Sequence, residues 1–374
     1  AVTDNKPKIN YVSEDDLKSI IQDGAMWAVD EGFIDETELS RLEHHGQFLS
    51  DEERDRSVSS IPRDAYKGGL RKARSLGGGN HFLELQRVTE VLDESIASTV
   101  GIKEDDVLIW IHTGSSSFGK RLENYYTQRW NTKDHRRRLR QKWRRFFYHL
   151  ELNQLARLPQ RLRLVRGVGM DEGLDVNSSE GQRYLTAHRA AMNYALVNRL
   201  FLAKMAQQAI NESGAEASFQ LLIDVAHESI QQETLNKGTF WVHRNGASRA
   251  VPPLQWDDPW GAQLGQLLPL PGSLGSSSYV AVTQPGVEES FWAVNHGAGR
   301  VLEKHEAQDG ISQEELDQFK NQMGHKIFYA GSGKDLAEQV PGAFKNISAV
   351  AKALEEHHLA KLVARTESIA SLKS

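Results

Sequence analysis

The chain has 374 residues and a formal net charge of -5, with 39% hydrophobic and 25% charged residues. This composition is typical of a globular protein with a substantial core, and it excludes a uniformly basic nucleic-acid-binding surface. Cysteine is absent, which excludes disulfides and thiolate metal ligands in these residues. No apolar run approaches the roughly 20 residues that span a bilayer, and the polar start AVTDNKPKIN shows no secretory signal. We therefore expect a cytoplasmic protein that does not enter a membrane.

The spacing of apolar residues predicts secondary structure along the chain. Residues 14–60 are acidic with helical spacing, which predicts short surface helices. Residues 75–112 are predicted to form a glycine loop, a strand, a short helix and a second strand. A long helix is predicted over residues 178–210, introduced by SSEG. Strands are predicted to dominate residues 219–300, beginning with FQLLIDVAH, and helices return beyond residue 311.

A stretch of different character, residues 120–166, interrupts this pattern. Its segment RWNTKDHRRRLRQKWRR has nine Lys or Arg against one Asp, and apolar residues from Leu139 to Leu150 recur at helical spacing. This predicts an amphipathic basic helix over residues 129–166 that projects from the body. The pattern is typical of helices that bind RNA phosphates, an acidic surface, a partner protein or another part of the same chain. We predict one mixed α/β domain over residues 1–374, with a strand-rich centre, surrounding helices and this basic helical insert.

Four histidines adjoin apolar runs or glycine-rich turns. His81 lies in GGGNHFLEL, His112 in VLIWIHTGS, His227 in LLIDVAHE and His296 in SFWAVNHGAGR. Neutral imidazole is the commonest metal ligand, so this grouping predicts one polar site at a sheet that holds a divalent metal. Three histidines that share a metal should have nitrogens within about 5 Å of one another, because metal–nitrogen bonds are about 2.1 Å long. Only His296 is followed by a glycine turn and an arginine, Arg300, which suits phosphate.

Together, these motifs resemble the RtcB-type RNA ligase family. The resemblance extends from about residue 15 to the C-terminus, apart from the basic insert. Its segments are GGGNHFLELQ (77–86), IHTGSSSFG (111–119), EGQRYLTAHRAAMNYALVNR (180–199), DVAHE (224–228), VHRNGASRA (242–250), LPGSLGSSSYV (270–280), NHGAGR (295–300) and PGAFKNI (341–347). NHGAGR, HRNGASRA and GNHFLE are highly specific in combination.

The resemblance implies an activity. The family joins an RNA 2′,3′-cyclic phosphate or 3′-phosphate end, as in tRNA halves or broken RNA, to a 5′-hydroxyl end. It uses GTP and Mn²⁺. A histidine is first guanylylated, GMP passes to the RNA 3′-phosphate, and the 5′-hydroxyl then attacks.

The resemblance also implies site residues. By motif, the guanylylated residue is His296, and the metal ligands are His81, His112 and His227. The positions that match the family's guanine-nucleotide site are Asn80, Glu84, Pro271, Gly272, Ser273, Leu274, Ser278, His296, Gly297, Ala298, Gly299 and Lys373. The positions that match contacts to RNA or phosphate are His243, Arg244, Arg249 and Arg300.

The chain departs from the family pattern at several positions. The family carries, well before its GNH motif, a segment with an Asp and a Cys that complete a two-manganese site. Here GNH begins at residue 79 and no cysteine occurs, so we expect an N-terminally truncated member that holds one divalent ion. Glu228 stands where Asn is usual, Phe344 where the family has Tyr, and Lys304 where it has Arg.

Two other interpretations of the same residues stay open. A diverged or truncated family member would bind RNA, nucleotide or a partner without ligating. A mononuclear hydrolase would use three histidines around Zn²⁺ to activate water. The NHGAGR motif and Lys373 favour nucleotide binding over the hydrolase.

Overall fold

The computed structural model describes residues 12–127, 143, 174–215, 217–256, 261–302, 306–307, 310–323, 327–329 and 336–373. Apart from Trp143 and the helical residues up to Thr127, the predicted basic insert lies outside these residues. The chain divides into two compact units. The first comprises Ala1–Gly24, Phe48–Ala73 and Ser115–Tyr194, and the second comprises Ala25–Gln47, Arg74–Gly114 and Ala195–Ser374.

The described residues contain ten α-helices and ten strands. The helices are α1 (Glu14–Asp23), α2 (Ala25–Asp30), α3 (Asp51–Ser60), α4 (Arg63–Lys72), α5 (Glu94–Val100), α6 (Ser117–Thr127), α7 (Ser179–Glu212), α8 (Gly261–Leu264), α9 (Gln313–Met323) and α10 (Ile347–Glu356). The strands are β1 (Phe82–Val91), β2 (Val107–His112), β3 (Glu228–Leu235), β4 (Gly238–Asn245), β5 (Ala247–Arg249), β6 (Leu267–Leu270), β7 (Ser278–Thr283), β8 (Ala293–Asn295), β9 (Ile327–Tyr329) and β10 (Ala360–Lys373). The predicted mixed α/β class is confirmed.

The first unit is helical where it is described. α1 begins at a capping box formed by Ser13 and Asp16, which satisfies backbone N–H groups that the helix start leaves unpaired. Its apolar face is buried, and Asn193 of α7 donates to the carbonyl of Ile21 at 2.9 Å. Tyr194, also on α7, is fully buried and donates to a backbone carbonyl. The short helices predicted near the start of the chain are therefore present.

The second unit is built on a six-stranded sheet. Its strand order is β2-β1-β10-β7-β6, and β9 also pairs with β10. Only the β9–β10 pair is parallel, while β3–β4 and β5–β8 form separate two-stranded ladders. α10 packs into the core on residues of β6 and β7, and α5 packs with β1, β2 and other residues of β7. All six residues of β7 are buried, as expected for a strand whose two faces are both covered.

Two sequence predictions were wrong in this unit. The segment FQLLIDVAH (219–227) forms no regular strand, and only Asp224 makes an isolated bridge, to Leu42. Ile223 and Val225 are partly buried and pack against the core without forming a strand, whereas Phe219 is exposed. Apolar patterning alone does not reveal whether such a run pairs with a neighbouring strand. The helical prediction beyond residue 311 holds for α9 and α10, but the chain then enters β10, the longest strand. No helix in the described part of the chain is long and apolar enough to cross a membrane.

Candidate metal and nucleotide site

The four predicted histidines all lie next to strands of the second unit. His112 is the last residue of β2 and pairs across the ladder with Phe82, the residue after His81. His227 directly precedes β3, and His296 directly follows β8. The ends of β1 and β2 therefore hold two of the imidazoles side by side, while turns present the other two.

The side chains of these histidines converge. Nitrogens of His81, His112 and His227 all lie within 4.8 Å of one another, so the predicted convergence is confirmed. The ring of His296 lies 5.2 Å from those of His112 and His227, and it stacks on His227 at an interplanar angle of 10°. We call these four residues the histidine cluster. Three of them, His112, His227 and His296, line one pocket together with Phe82, Trp110 and Pro271.

Backbone carbonyls fix the orientation of two rings in the histidine cluster. Nδ1 of His81 lies 3.1 Å from the carbonyl oxygen of Leu76, and Nδ1 of His296 lies 2.6 Å from that of Gly246. A carbonyl only accepts hydrogen bonds, so each Nδ1 carries the proton when the ring is neutral. Nε2 then holds the lone pair, which is available to a metal in His81 and to an electrophile in His296.

Gly246 links two members of the cluster through its backbone. Its N–H donates to the carbonyl of His227 at 3.0 Å, while its own carbonyl accepts from His296. Its φ is +66°, a left-handed conformation that favours glycine, and a Cβ here would lie 3.3 Å from Cε1 of His296. Both the backbone conformation and the available space therefore favour glycine at this turn.

Burial favours the neutral form of three members of the histidine cluster, His112, His227 and His296. Burial lowers the pKa of His112 and of His227 well below the usual range, and the neighbouring imidazoles lower both further. Burial also lowers the pKa of His296. Nε2 of His112 is buried without a hydrogen-bond partner in the described structure, which is costly unless a ligand takes its lone pair. Neutral, convergent imidazoles with an orphaned nitrogen fit a divalent metal.

A buried ion pair connects the segments that carry two of these histidines, His112 and His227. Arg199 binds the carboxylate of Asp224 through two nitrogens, with Nε 2.6 Å from Oδ2. Its Nη1 donates to the carbonyl of Thr113 at 3.0 Å. Thr113 follows His112, and Asp224 precedes His227 on the same short segment. The ion pair therefore sets the spacing between the two ligand-bearing segments.

Glu84 and Ser278 lie in a second polar cluster on the same sheet. Glu84 accepts from the hydroxyl of Ser371 and from the amide of Gln86, both at 2.7 Å. The hydroxyl of Ser278 accepts from Gln86 at 3.2 Å and from the N–H of Gly272 at 3.1 Å. Burial raises the pKa of Glu84, and the bonds from Ser371 and Gln86 oppose that rise.

Lys373 closes this cluster at the end of β10. Its ammonium donates to Oε1 of Gln339 at 3.2 Å and lies 5.5 Å from the centroid of the Phe82 ring. Burial lowers the pKa of Lys373 to about 8, and the nearby carboxylate of Glu84 opposes this shift. We call Glu84, Gln86, Ser278, Gln339 and Lys373 the base pocket, after the nucleotide-binding role that the family resemblance predicts for Glu84, Ser278 and Lys373.

The predicted nucleotide-binding loops also meet in the second unit. The N–H of Ala298 donates to the carbonyl of Pro271 at 3.1 Å. A Cβ on Gly297 would lie 2.9 Å from that same carbonyl, so the close approach requires glycine. The residues predicted to hold nucleotide at 271–274 and at 297–299 therefore lie against each other. Asn80 is half-buried in the loop before β1.

The predicted RNA-contact residues on β4 and β5 have other partners. Arg244 and Arg249 both bind Glu233 of β3, at 2.9 and 2.8 Å, and the Arg244 side chain is fully buried. This ion-pair group braces β3, β4 and β5, which accounts for both arginines structurally. His243 is exposed on β4. That any of the three contacts RNA stays a prediction.

Arg300 is placed differently. Its Nε and Nη1 donate to the carbonyls of Leu302 and Glu338 at 3.0 and 2.9 Å. Its guanidinium lies 4.8 Å from the centroid of the Phe344 ring, where the family has Tyr. Nη2 is buried and has no hydrogen-bond partner in the described structure. It is thus a donor held ready for an acceptor such as phosphate.

Sequence reasoning missed Gly246, Gln86, Ser371 and Gln339. Gln86 and Ser371 stand two residues from Glu84 and Lys373 on their strands, so period-2 spacing could have found them. Gln339 comes from a distant segment, and no local pattern marks it.

Comparison with known proteins identifies the family of the chain. A family model described as "tRNA-splicing ligase RtcB" matches residues 2–374. The chain belongs to the RtcB family. It is 32% identical to the tRNA-splicing ligase RtcB of Pyrococcus furiosus, over 98% of this chain and 36% of that protein. It is 32% identical to the RNA-splicing ligase RtcB of Mycobacterium tuberculosis, over 96% of this chain and 76% of that protein.

The chain therefore spans different shares of its RtcB relatives. It covers little more than a third of the Pyrococcus furiosus and Pyrococcus abyssi proteins, at 36% and 37%. It covers 72% of the tRNA-splicing ligase RtcB of Methanococcus maripaludis, at 30% identity.

Proposed function

We propose that this chain is an RNA ligase that joins a 3′-phosphate or 2′,3′-cyclic phosphate end to a 5′-hydroxyl end, with GTP and Mn²⁺. We further propose that its substrates are tRNA halves or broken RNA in the cytoplasm. The proposal rests on the placement of His296. Its Nδ1 is hydrogen-bonded to the carbonyl oxygen of Gly246, and its ring stacks on that of His227. Relatives named tRNA-splicing and RNA-splicing ligases support the reaction class.

The metal would be held by His81, His112 and His227, and water or phosphate oxygens would supply the oxygen ligands that Mn²⁺ prefers. Bound there, it would neutralise charge on phosphate oxygens and make phosphorus more electrophilic. The protein's part is to keep the ligands neutral by burial and to hold the His81 ring through the carbonyl of Leu76.

His296 has the features of a nucleophile toward phosphorus. Its Nε2 would bond to the α-phosphorus of GTP while the bond to the bridging oxygen breaks and pyrophosphate leaves. The ring becomes cationic in this step, and the carbonyl of Gly246 stabilises the proton that remains on Nδ1. Nη2 of Arg300 can donate to a phosphate oxygen. A 2′,3′-cyclic phosphate end would first add water to give a 3′-phosphate. An oxygen of the 3′-phosphate would then take GMP as the phosphorus–nitrogen bond to His296 breaks. The 5′-hydroxyl would lose its proton and attack the 3′-phosphorus, so that GMP leaves as the new phosphodiester forms.

The base pocket suits guanine. The carboxylate of Glu84 can accept from the N1 and N2 donors of the base, and Lys373 can donate to its O6 acceptor. Both side chains are buried, so an unsuitable base would leave a charged group without a partner.

Incubation with GTP labelled at the α-phosphate and Mn²⁺, followed by a denaturing gel, tests the proposal. We expect an adduct that is labile in acid and stable in alkali, as a phosphoramidate should be. His296→Ala should abolish labelling yet keep GTP affinity within about tenfold, because the base pocket binds independently. His357→Ala removes an exposed histidine beyond α10 and should label as wild type does.

The outcome distinguishes the remaining interpretations. Labelling of His296→Ala at the wild-type level would refute the assigned nucleophile. GTP binding without any adduct would support the diverged member that binds without ligating. Metal-dependent phosphodiester hydrolysis without GTP binding would support the hydrolase.

A further inference from the structure

We propose that Gln339 is a positioning residue that holds Lys373 for the base of a guanine nucleotide and so sets base selectivity. The inference rests on the proposed function, because it concerns the same nucleotide site. Gln339 lies just before the turn at Pro341–Ala343 and is only 2% exposed. It stands two residues before the PGAFKNI motif, to which it does not belong, and 34 residues before Lys373.

Both ends of the Gln339 amide are engaged. Oε1 accepts from Nζ of Lys373 at 3.2 Å, and Nε2 donates to the carbonyl of Gly79 at 3.1 Å. An ammonium group can only donate and a carbonyl can only accept, so the two partners fix which way the amide points. Gln339 therefore joins the end of β10 to the loop that carries Asn80 and His81.

Lys373 needs such a tether. Its four-carbon side chain has many rotamers, and it stands at the last residue of β10. The bond to Gln339 uses one of its three N–H donors, and no other hydrogen bond from this ammonium occurs within the described structure. The residue as a whole is only 6% exposed. Buried donors without partners indicate an acceptor ligand.

A fixed position of the Lys373 ammonium can distinguish guanine from adenine, because the two purines carry different groups at C6. Guanine presents a carbonyl oxygen at C6, which accepts from an ammonium group. Adenine presents an amino group there, which donates and would leave the ammonium unsatisfied. A Lys373 fixed in place by Gln339 therefore rejects adenine, whereas a freely rotating Lys373 could turn away and tolerate it.

Equilibrium binding of GMP and AMP to the full chain, by calorimetry with Mn²⁺ present, tests this inference. Gln339→Met keeps the length and packing of the side chain but removes both bonds, and it should lower the GMP-to-AMP selectivity about tenfold. Gln339→Glu keeps an acceptor for Lys373 and loses only the bond to Gly79, so its selectivity should stay within about threefold of wild type. Gln313→Ala, on the exposed surface of α9, is the matched control. Thermal unfolding of each variant checks that it folds.

The outcomes separate this inference from the proposed function. Unchanged selectivity in Gln339→Met would overturn the inference and leave the proposed function standing. Equal losses of selectivity in Gln339→Met and Gln339→Glu would also overturn it. The only bond that both substitutions remove is the one to Gly79, so the bond to Lys373 would then have no effect on selectivity. Selective GMP binding by a wild-type chain that forms no covalent adduct with GTP would refute the ligase chemistry alone. A wild-type chain that does not prefer GMP would refute both.

Discussion

The histidine cluster and the base pocket are prepared for their ligands in opposite ways. In the histidine cluster, burial lowers the pKa of His112 and His227, so the ligands are neutral and Nε2 of His112 has no partner. In the base pocket, Glu84 and Lys373 are buried but surrounded by neutral donors and acceptors, including Gln86. The histidine cluster therefore lacks a positive charge, and the base pocket lacks a polar ligand.

This difference indicates what each region can bind. A cluster of neutral acceptors with no internal donor is completed by a cation. A pocket that contains both a carboxylate and an ammonium is completed by a molecule with both donors and acceptors, such as a nucleobase. If the comparison is right, substitutions and pH should affect the two regions separately.

The largest separation is expected from His227→Ala. Loss of one of three imidazole ligands should weaken Mn²⁺ binding by about 100-fold or more, as even indirect supports of a metal site contribute 10- to 100-fold. Guanosine affinity, which involves no phosphate, should change little. Titration of Mn²⁺ by electron paramagnetic resonance and of guanosine by calorimetry measures the two. A comparable loss of guanosine binding would show that the two regions are one site energetically.

Glu84→Ala should give the converse result. Removing the carboxylate should weaken guanosine binding by up to about 100-fold, because hydrogen bonds to charged groups are the strong ones. Glu90→Ala, an exposed carboxylate on the same strand, is the control and should leave binding unchanged. Mn²⁺ affinity should be the same in both variants and in wild type. A loss of Mn²⁺ binding in Glu84→Ala alone would contradict the separation.

The two regions should also fail at opposite ends of the pH scale. Metal binding needs neutral imidazoles, and burial holds the pKa values of His112 and His227 well below 6.5, so protonation of these two ligands should weaken Mn²⁺ binding only below pH 6.5. Base binding needs a protonated Lys373, whose pKa is about 8, so guanosine affinity should fall as pH rises through 8. Calorimetric titrations from acid to alkali measure both dependences.

Lys373→Arg sharpens the alkaline half of this prediction. Arginine stays protonated across the accessible range, so any fall in affinity that comes from Lys373 should disappear in this variant. An alkaline fall that persists would assign the titration to another group. A midpoint for Mn²⁺ binding at 6.5 would show that the histidines titrate as exposed ones do.

The smallest effect is expected at Gly246, which touches both His227 and His296. Gly246→Ala should cost about 1–2 kcal/mol in the free energy of unfolding, because a side chain is disfavoured at its left-handed φ. It should also slow guanylylation, since the new Cβ would crowd the His296 ring at 3.3 Å. Gly101 also has a left-handed φ, but a Cβ there would have no atom within 4 Å. Gly101→Ala should therefore lower the free energy of unfolding without slowing guanylylation. Equal guanylylation rates in the two variants would exclude the steric effect.

Residue type and local spacing were enough to predict the members of the histidine cluster. Each of His81, His112 and His227 sits beside an apolar run or glycine turn, and such signals persist in a short stretch of sequence. The convergence itself depends on strand pairing, which the pattern only suggested. The segment FQLLIDVAH shows where pattern-based prediction stops. It has the length and composition of a strand, but in the fold it pairs with no neighbouring strand.

The base pocket was less predictable from the residues alone. Glu84 and Lys373 came from family resemblance, and their hydrogen-bond partners come from three separate segments. Gln339 meets Lys373 only because the segment after α9 folds back on β10, a long-range contact that no local pattern reports. Likewise, Arg244 and Arg249 were assigned to RNA contact by family resemblance, and only the fold shows that both also bind the single carboxylate of Glu233.

The position of β10 has a consequence for the order in which the molecule can be assembled during synthesis. β10 lies between β1 and β7, so it is the seam that joins two otherwise separate halves of the sheet. A nascent chain that stops before residue 360 would carry the whole histidine cluster but no seam and no Lys373. Completion of the sheet and arrival of Lys373, the residue proposed to bind the base, are therefore one event in biosynthesis.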